Sequence, residues 1–429
     1  MKLIRTFGRS RQQAAELISR LEERGAAALD SVIPAVRRIV SSVRQQGDLG
    51  LLRYARQFDG LPGAQSLRVT REEMAEAWET TSPALRTALR TATEQIRSFA
   101  ERQMPQPWTE TTADGLTRGQ VVRPIGSVGC YVPSGRHPLP STLIMAAIPA
   151  QVAGVERIVA ISPRPATETL AAAHLLGISE FYRIGGAQGV AALAYGTASL
   201  QRVDKIVGPG NLYVTAAKRL VAFDCAIDML AGPTEIIVTS DKGRPGEIAS
   251  DLVAQAEHDP EALAIFITSR EELAREVIAE TKTRARNNPV ARESLQRNGV
   301  AILTETPAES RDLTNRLAPE HLTVDSFADL SWVQNAGSVF VGRWSAQPMG
   351  DYISGPNHTL PTGGMARVRG GLSVNDFVKL ITVQEYTSAS IRSLGPSAVL
   401  LAEAEGLVGH AESIQVRLSK PRKPRRSDG

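Results

Sequence analysis

The run Asp251–Pro260, DLVAQAEHDP, sets Gln255 and His258 three residues apart in a segment of good helix formers. A helix turns about 100° per residue, so these two neutral groups share a face. An imidazole and an amide aimed the same way are either half of a metal site or a polar helix end. Other candidates are few, because the chain has six histidines. His258, His321, His358 and His410 stand in the polar contexts QAEH, APEH, GDYISGPNH and EGLVGH. His174, in AAAHLLG, reads as a packed helix residue. Gln255, His258, Asp351 and His410 together would offer two imidazoles, one amide oxygen and one carboxylate. That mix suits a borderline cation such as Zn²⁺, with Mn²⁺ or Co²⁺ also fitting. No HExxH or CxxC is present, so spacing by itself favours ordinary hydrogen-bonded side chains.

The dipeptide Glu320-His321 falls where a helix gives way to a strand, after Pro319. It reads either as a surface pair or as adjacent acid and base, the carboxylate activating water and the imidazole moving a substrate proton. Two Gly-rich turns, IGGAQG (Ile184–Gly189) and GPGNLY (Gly208–Tyr213), each follow a strand and open a helix. Neither is a full GxGxxG, so an ordinary dinucleotide fingerprint is absent and both read as tight strand-to-helix turns.

The elements that must position these residues alternate. Residues 10–103 carry apolar positions at helical spacing. GQVVRPIGSVGCYVP then switches to short β-like runs. From about residue 140 helices alternate with RIVAIS, EFYRIGG, KIVGPG and CAIDML. A second series follows with the strands EIIVTS, LAIFITS, VAILTE, HLTVDS and SVFVG. The expected fold is α/β, two Rossmann-like doubly wound units with helical N-terminal and C-terminal extensions. The expected boundaries are a helical extension over 1–25 and a discontinuous first domain over 26–128 and 233–375. A second, cofactor-side domain covers 129–232, a helical arm covers 376–416 and a basic tail covers 417–429. The arm is read as helical but broken within SLGPSAVLLAEAEGLVGH.

Composition bounds the setting. Hydrophobic residues at 42% and charged residues at 22% fit a folded soluble chain. No apolar run reaches the ~18 residues a membrane span needs, and the N-terminus lacks a signal-like apolar core. Two distant cysteines, Cys130 and Cys225, point to a reducing compartment, most simply the cytoplasm. The net charge of +4 comes from the tail RLSKPRKPRRSDG. No aromatic residue interleaves those charges, so a solvated end is expected rather than nucleic-acid binding.

Taken together, several stretches resemble the histidinol dehydrogenase family. They are GCYVPSGRHPLPSTLIMAAIPAQVAGV, IGGAQGVAALAYG, VDKIVGPGNLYVTAAKRLV, DMLAGPTEI, QAEHDP, APEHLTV, GDYISGPNHTLPTGG, GLSVNDF and AEGLVGH. The resemblance spans about residues 25 to 416. It implies zinc on Gln255, His258, Asp351 and His410, and an acid–base pair of Glu320 and His321. It implies substrate contacts from Thr234 and Glu405 as well as from the ligands and His321. Tyr131, Gln188 and Asn211 resemble nicotinamide-cofactor contacts, and His358 takes a supporting role. The implied reaction is oxidation of L-histidinol to L-histidine through the aldehyde with two NAD⁺. The implied assembly is a homodimer whose C-terminal arm crosses over, so that Glu405 and His410 complete the neighbour's site. Ser134 replaces a usual glycine and His137 is unusual at its place, both on the expected cofactor side. A dehydrogenase for another primary alcohol, or a zinc hydrolase using Glu320, are the rival readings. A metal-binding scaffold using the tail on nucleic acid is a third.

Overall fold

The computed structural model describes residues 1–24, 27–63, 66–134 and 138–419. His137 and residues 420–429 of the basic tail lie outside the described residues. The chain divides into two compact units, one of residues 1–104 and 125–377, the other of residues 105–124 and 378 onward.

The first unit holds two six-stranded sheets. The N-proximal sheet has the spatial order Arg68–Val69, Glu180–Tyr182, Arg157–Ile161, Ser127–Tyr131, Lys205–Val207, Ala226–Ile227. It is parallel except for its edge strand Arg68–Val69. The C-proximal sheet is parallel throughout, in the order Lys2–Arg5, Val300–Leu303, Leu263–Thr268, Glu235–Thr239, His321–Val324, Ser338–Val341. In each sheet the first strand of a series lies centrally, two successors go one way and the next two go the other. That is the doubly wound pattern, with a switch point between the first and fourth strands.

Period-two alternation explains why the C-proximal strands take helices on both faces. Ile236 and Val238 pack with Leu252, Phe266 and Val277 under the helices Pro245–Ala256 and Glu271–Arg284. Ile237 turns the other way, onto Ile18, Leu313 and Leu322 with the helices Arg11–Glu22 and Pro307–Leu317. The helix Pro140–Ala153 is apolar all round and almost wholly buried, as a helix without a polar face must be.

Four expectations need correction. Helices Ala27–Gln46 and Asp48–Tyr54 pack Val36, Val43 and Leu51 against Val159, Ile161 and Val190 of the N-proximal layer. They do not form a discontinuous domain with 233–375, because an apolar stripe says that a helix must be covered but not by which sheet. The extension over 1–25 begins with the strand Lys2–Arg5, too short to show a period, before its helix. In the arm, Val378–Glu385 is a strand, antiparallel to Thr117–Pro124. The helical part does break within SLGPSAVLLAEAEGLVGH as expected, at residues 405–407 between the helices Ser388–Ala404 and Val408–Leu418, while Pro396 lies inside the first of them. His174 is exposed and stacks on Trp78 at 6.0 Å between centroids, so it is not a core residue.

The second unit is the sheet Trp108–Thr111, Thr117–Pro124, Val378–Glu385 with the helices Ser388–Ala404 and Val408–Leu418. Its helices share a small core of Val399, Ala402 and Ala411. Leu400, Leu401, Val408 and Val416 are exposed.

A buried ion pair braces the N-proximal switch point. Lys218 Nζ meets Asp228 Oδ1 at 2.7 Å, both side chains almost wholly covered. Lys218 also donates to Gly208 O at 2.5 Å, and Gly208 N donates to Asp228 Oδ2 at 2.8 Å. Gly208 has φ 112°, and a Cβ there would lie 2.2 Å from Tyr131 O, so only glycine fits. Removing one partner leaves the other charge buried and unpaired. Lys218→Met is expected to lower unfolding free energy by about 3–5 kcal/mol in a urea titration. A loss below about 1 kcal/mol would show the pair to be dispensable.

Candidate active site

The strand register builds the site. Ile236 pairs with His321, which sets Glu235 beside Glu320 at the amino ends of adjacent strands. Glu320 is buried, and a buried carboxylate needs donors. It takes two: Thr234 Oγ1 at 2.6 Å and Glu235 N at 2.7 Å, both to Oε2. His321 lies alongside, its Nδ1 3.1 Å from Glu235 O and 3.5 Å from Glu320 Oε2. A carbonyl only accepts, so Nδ1 carries the hydrogen and Nε2 turns to Asp351 Oδ1, 3.8 Å away. Burial works against charge on His321, but the Glu320 and Asp351 carboxylates outweigh it and push its pKa up to about 9.

The chain of contacts extends both ways. Gln255 Nε2 donates to Thr234 Oγ1, so one hydroxyl joins the amide to the Glu320 carboxylate. On the other side Asp351, in the short helix Pro348–Tyr352, accepts from Gln347 Nε2 at 3.1 Å. Its backbone carbonyl faces His358 Nδ1 at 2.8 Å. Burial lowers the His358 pKa, against the pull of the Asp351 charge. His321, Asp351 and His358 line a cavity of about 400 Å³ with Phe340, Trp344 and Met349.

Gln255 is fully buried, and its Oε1 has no hydrogen-bond partner in the protein. His258, just past the end of the helix Pro245–Ala256, is exposed. Its Nδ1 lies 3.1 Å from Ala254 O and 3.2 Å from Gln255 O, which leaves Nε2 as the lone-pair nitrogen. Among the described residues no cluster of three or more His, Cys, Asp or Glu could hold a metal by itself. Of the four expected ligands, Gln255 is an amide and His410 belongs to the second unit. Glu405 closes the helix Ser388–Ala404 and His410 lies in the first turn of the next, both exposed.

Tyr131 ends one strand of the N-proximal sheet, and Gln188 and Asn211 come after two others, at its carboxyl end. Tyr131 and Gln188 are buried. Tyr131 OH accepts from Gly186 N at 3.1 Å, and Gln188 Nε2 donates to Asp59 Oδ2 at 3.0 Å. Asn211 is exposed and caps the helix Leu212–Val221 by accepting from Tyr213 N and Val214 N. Ser134 accepts from Arg164 N at 3.0 Å.

A model of the histidinol dehydrogenase family matches residues 22–418. The chain belongs to this family. It is 45% identical over 414 residues to a histidinol dehydrogenase of Methanothermobacter thermautotrophicus, covering 94% of this chain and 97% of that one. It is 45% identical over 398 residues to one of Geobacillus kaustophilus, covering 90% and 94%. The crystal structure of histidinol dehydrogenase from Elizabethkingia anophelis matches with a TM-score of 0.91 at 32% identity, covering 97% and 98%. The α/β fold with parallel sheets is thus that of histidinol dehydrogenases, and the chain is a dehydrogenase of histidine biosynthesis. No helix among the described residues is long and apolar enough to cross a membrane.

Three polar residues at this histidinol dehydrogenase site escape a reading of motifs. Glu235 heads a buried strand and pairs with Arg24, Nε to Oε2 at 2.5 Å and Nη2 to Oε1 at 2.8 Å. Burial raises the Glu235 pKa, and the Arg24 guanidinium opposes that rise. A Glu opening the apolar run EIIVTS is a signal that a partner must exist, but Arg24 lies 211 residues away. Gln347, fully buried, orients Asp351 and carries no motif.

Thr234→Val removes the hydroxyl that serves Glu320 and Gln255 at once. It leaves the Gln255 amide unpaired in a dry place, an expected cost of about 1–3 kcal/mol. Thr234→Ser should keep both bonds and stay within about 0.5 kcal/mol of the parent by denaturant titration. Equal stability of the Val and Ser variants would contradict the bridge.

Proposed function

We propose that the chain oxidises L-histidinol to L-histidine in two steps through the aldehyde, with one zinc ion per subunit and two NAD⁺ per turnover. The observation that carries this reading is the hydrogen-bonded Glu320 lying against His321, next to a buried Gln255 carbonyl oxygen that lacks a donor. An orphaned buried acceptor is costly unless something positive meets it. Gln255 Oε1, His258 Nε2 and an Asp351 oxygen are donors of the type zinc takes, and His410 would be the fourth. When bound, zinc would anchor the amine and imidazole nitrogens of histidinol and polarise its oxygen, while NAD⁺ accepts the hydrides.

The protein's own groups supply the proton transfers. His321 takes the hydroxyl proton as the alcohol carbon loses hydride. Glu320 then draws a proton from water as that water adds to the aldehyde. The resulting hydrate anion loses a second hydride to give the carboxylic acid. Ligation of Asp351 would withdraw one of the two charges that raise His321. Thr234 and the Glu235 amide hold Glu320 still throughout. Tyr131, Gln188 and Asn211 are assigned to NAD⁺, and contact with the first two requires the chain above them to move.

We further infer a homodimer in which the arm of one subunit brings Glu405 and His410 to the site of the other. The exposed Leu400, Leu401, Val408 and Val416, over a core of three buried residues, support a surface that another chain covers.

Absorbance at 340 nm should report two NADH per histidinol consumed. One NADH, or none with turnover of a different alcohol, would point to a paralogue. Glu320→Gln should slow oxidation of supplied histidinaldehyde by about 10²–10⁴-fold, the usual weight of a general base. A normal aldehyde rate would remove Glu320 from the role.

Mixing Glu320→Gln with His410→Ala, after unfolding and refolding together, should yield activity that neither parent has. A hybrid dimer then contains one site with both native groups. No recovery, with hybrid dimers demonstrated by mass, would refute the shared site.

A further inference from the structure

Asp59 ends a single π-type turn, Ala55–Asp59, and is followed by Gly60 in the left-handed region at φ 67°. No motif marked it, and its carboxylate is buried. One oxygen, Oδ2, accepts two hydrogen bonds, from Gly185 N at 3.1 Å and from Gln188 Nε2 at 3.0 Å. Burial raises its pKa, against those two donors.

The Gly185-Gly186 turn is held from both sides. Gly185 N is tied to Asp59, and the next amide, Gly186 N, to the Tyr131 hydroxyl. Gly186 has φ 54°, and a Cβ there would lie 2.8 Å from Gln188 Oε1, so the Gln188 amide folds over the turn. A carboxylate oxygen only accepts hydrogen bonds while it is ionised, and Oδ2 already takes the Gly185 amide. The Gln188 amide therefore faces it with nitrogen and cannot flip. Its carbonyl oxygen is what remains for any other group. The Tyr131 hydroxyl, which accepts from Gly186, keeps its own proton to donate.

We propose that Asp59 is a positioning residue for the nicotinamide cofactor. It fixes the turn on which Tyr131 and Gln188 rest, and presents Gln188 as an acceptor for a hydroxyl or carboxamide donor of that cofactor. The inference rests on the assignment of Tyr131 and Gln188 to the cofactor side.

Three substitutions separate positioning from plain packing. Asp59→Asn retains an oxygen that can take both bonds, so the KM for NAD⁺ should stay within about twofold of the parent. Asp59→Leu removes the acceptor, and Asp59→Glu displaces it by about one methylene. Each should raise the KM for NAD⁺ by about tenfold, the weight of one lost hydrogen bond, with the KM for histidinol within about twofold. If Asp59→Leu does not fold, Asp59→Glu against Asp59→Asn decides. An unchanged NAD⁺ KM in the folded Leu or Glu variant overturns the proposal. So does an equal rise in both KM values, or an Asn variant as impaired as the others. A crystal structure with NAD⁺ tests the underlying assignment separately. Cofactor bound away from Gln188 overturns that assignment, whereas cofactor at Gln188 with unaltered kinetics overturns only the role of Asp59.

Discussion

A carboxylate removed from water must be met by donors, and the site depends on how Glu320 meets that demand. Its donors are a backbone amide and a hydroxyl from the adjoining strand, Glu235 N and Thr234 Oγ1. Parallel pairing delivers them only in one register, because a shift of a single residue would turn every side chain to the opposite face. The apolar residues that enforce that register, Ile236, Ile237 and Leu322, are core residues with no polar atoms in their side chains. Packing of the C-proximal sheet and assembly of the Glu320–His321 pair are therefore one event.

The two sheets share a strand order, but their candidate site residues stand at opposite ends. Ligands in doubly wound sheets gather at the carboxyl ends of the strands, and Tyr131, Gln188 and Asn211, proposed above as cofactor contacts, stand at that end. Glu320, His321 and Thr234 stand instead at the amino ends of their strands. Unpaired amides at a strand's amino end favour negative charge, which is what Glu320 provides. Charged groups brace both regions from beneath. Arg24 neutralises Glu235, which lies next to Glu320, and Lys218 with Asp228 clamps the Gly208 turn against Tyr131. Buried ion pairs of this kind add little net stability, but they penalise any arrangement that separates them.

The alternation of strand and helix was legible because buried parallel strands are continuous apolar runs flanked by turns. EIIVTS, LAIFITS and VAILTE became Glu235–Thr239, Leu263–Thr268 and Val300–Leu303. Val378–Glu385 was not legible, because nearly every residue in it is exposed and no burial alternation marks it. The covering of the N-proximal sheet by residues 27–54 was equally hidden, since it depends on tertiary choice and not on local pattern. At the candidate site, the i, i+3 spacing of Gln255 and His258 and the adjacency of Glu320 and His321 drew attention to them, but spacing by itself fitted ordinary hydrogen-bonded side chains as well. The significance of Thr234 rested on resemblance alone, and its double hydrogen bond could be seen only once the two strands were paired. Arg24 and Asp59 act through contacts between distant residues that leave no trace in spacing, and Gln347, only four residues before Asp351, belongs to no motif.

The turn that delivers Glu320 carries its own strain. Ala318 is the one non-glycine residue with positive φ among those described, at φ 46° and ψ 67°. Helices often end on a left-handed residue, but that residue is usually glycine, and the position before a proline disfavours compact conformations further. Ala318 precedes Pro319 and is fully buried, so neither solvent nor a flexible neighbour relieves it. Such strain, of order 1–3 kcal/mol, persists only where the surroundings over-determine it. Here they do: Leu317 is locked into the C-proximal core on one side and His321 into the sheet on the other. With Pro319 unable to continue the helix, the chain has three residues in which to reverse from helix to strand. A left-handed residue at 318 achieves this, and it brings Glu320 to the strand edge beside the two donors that hold it.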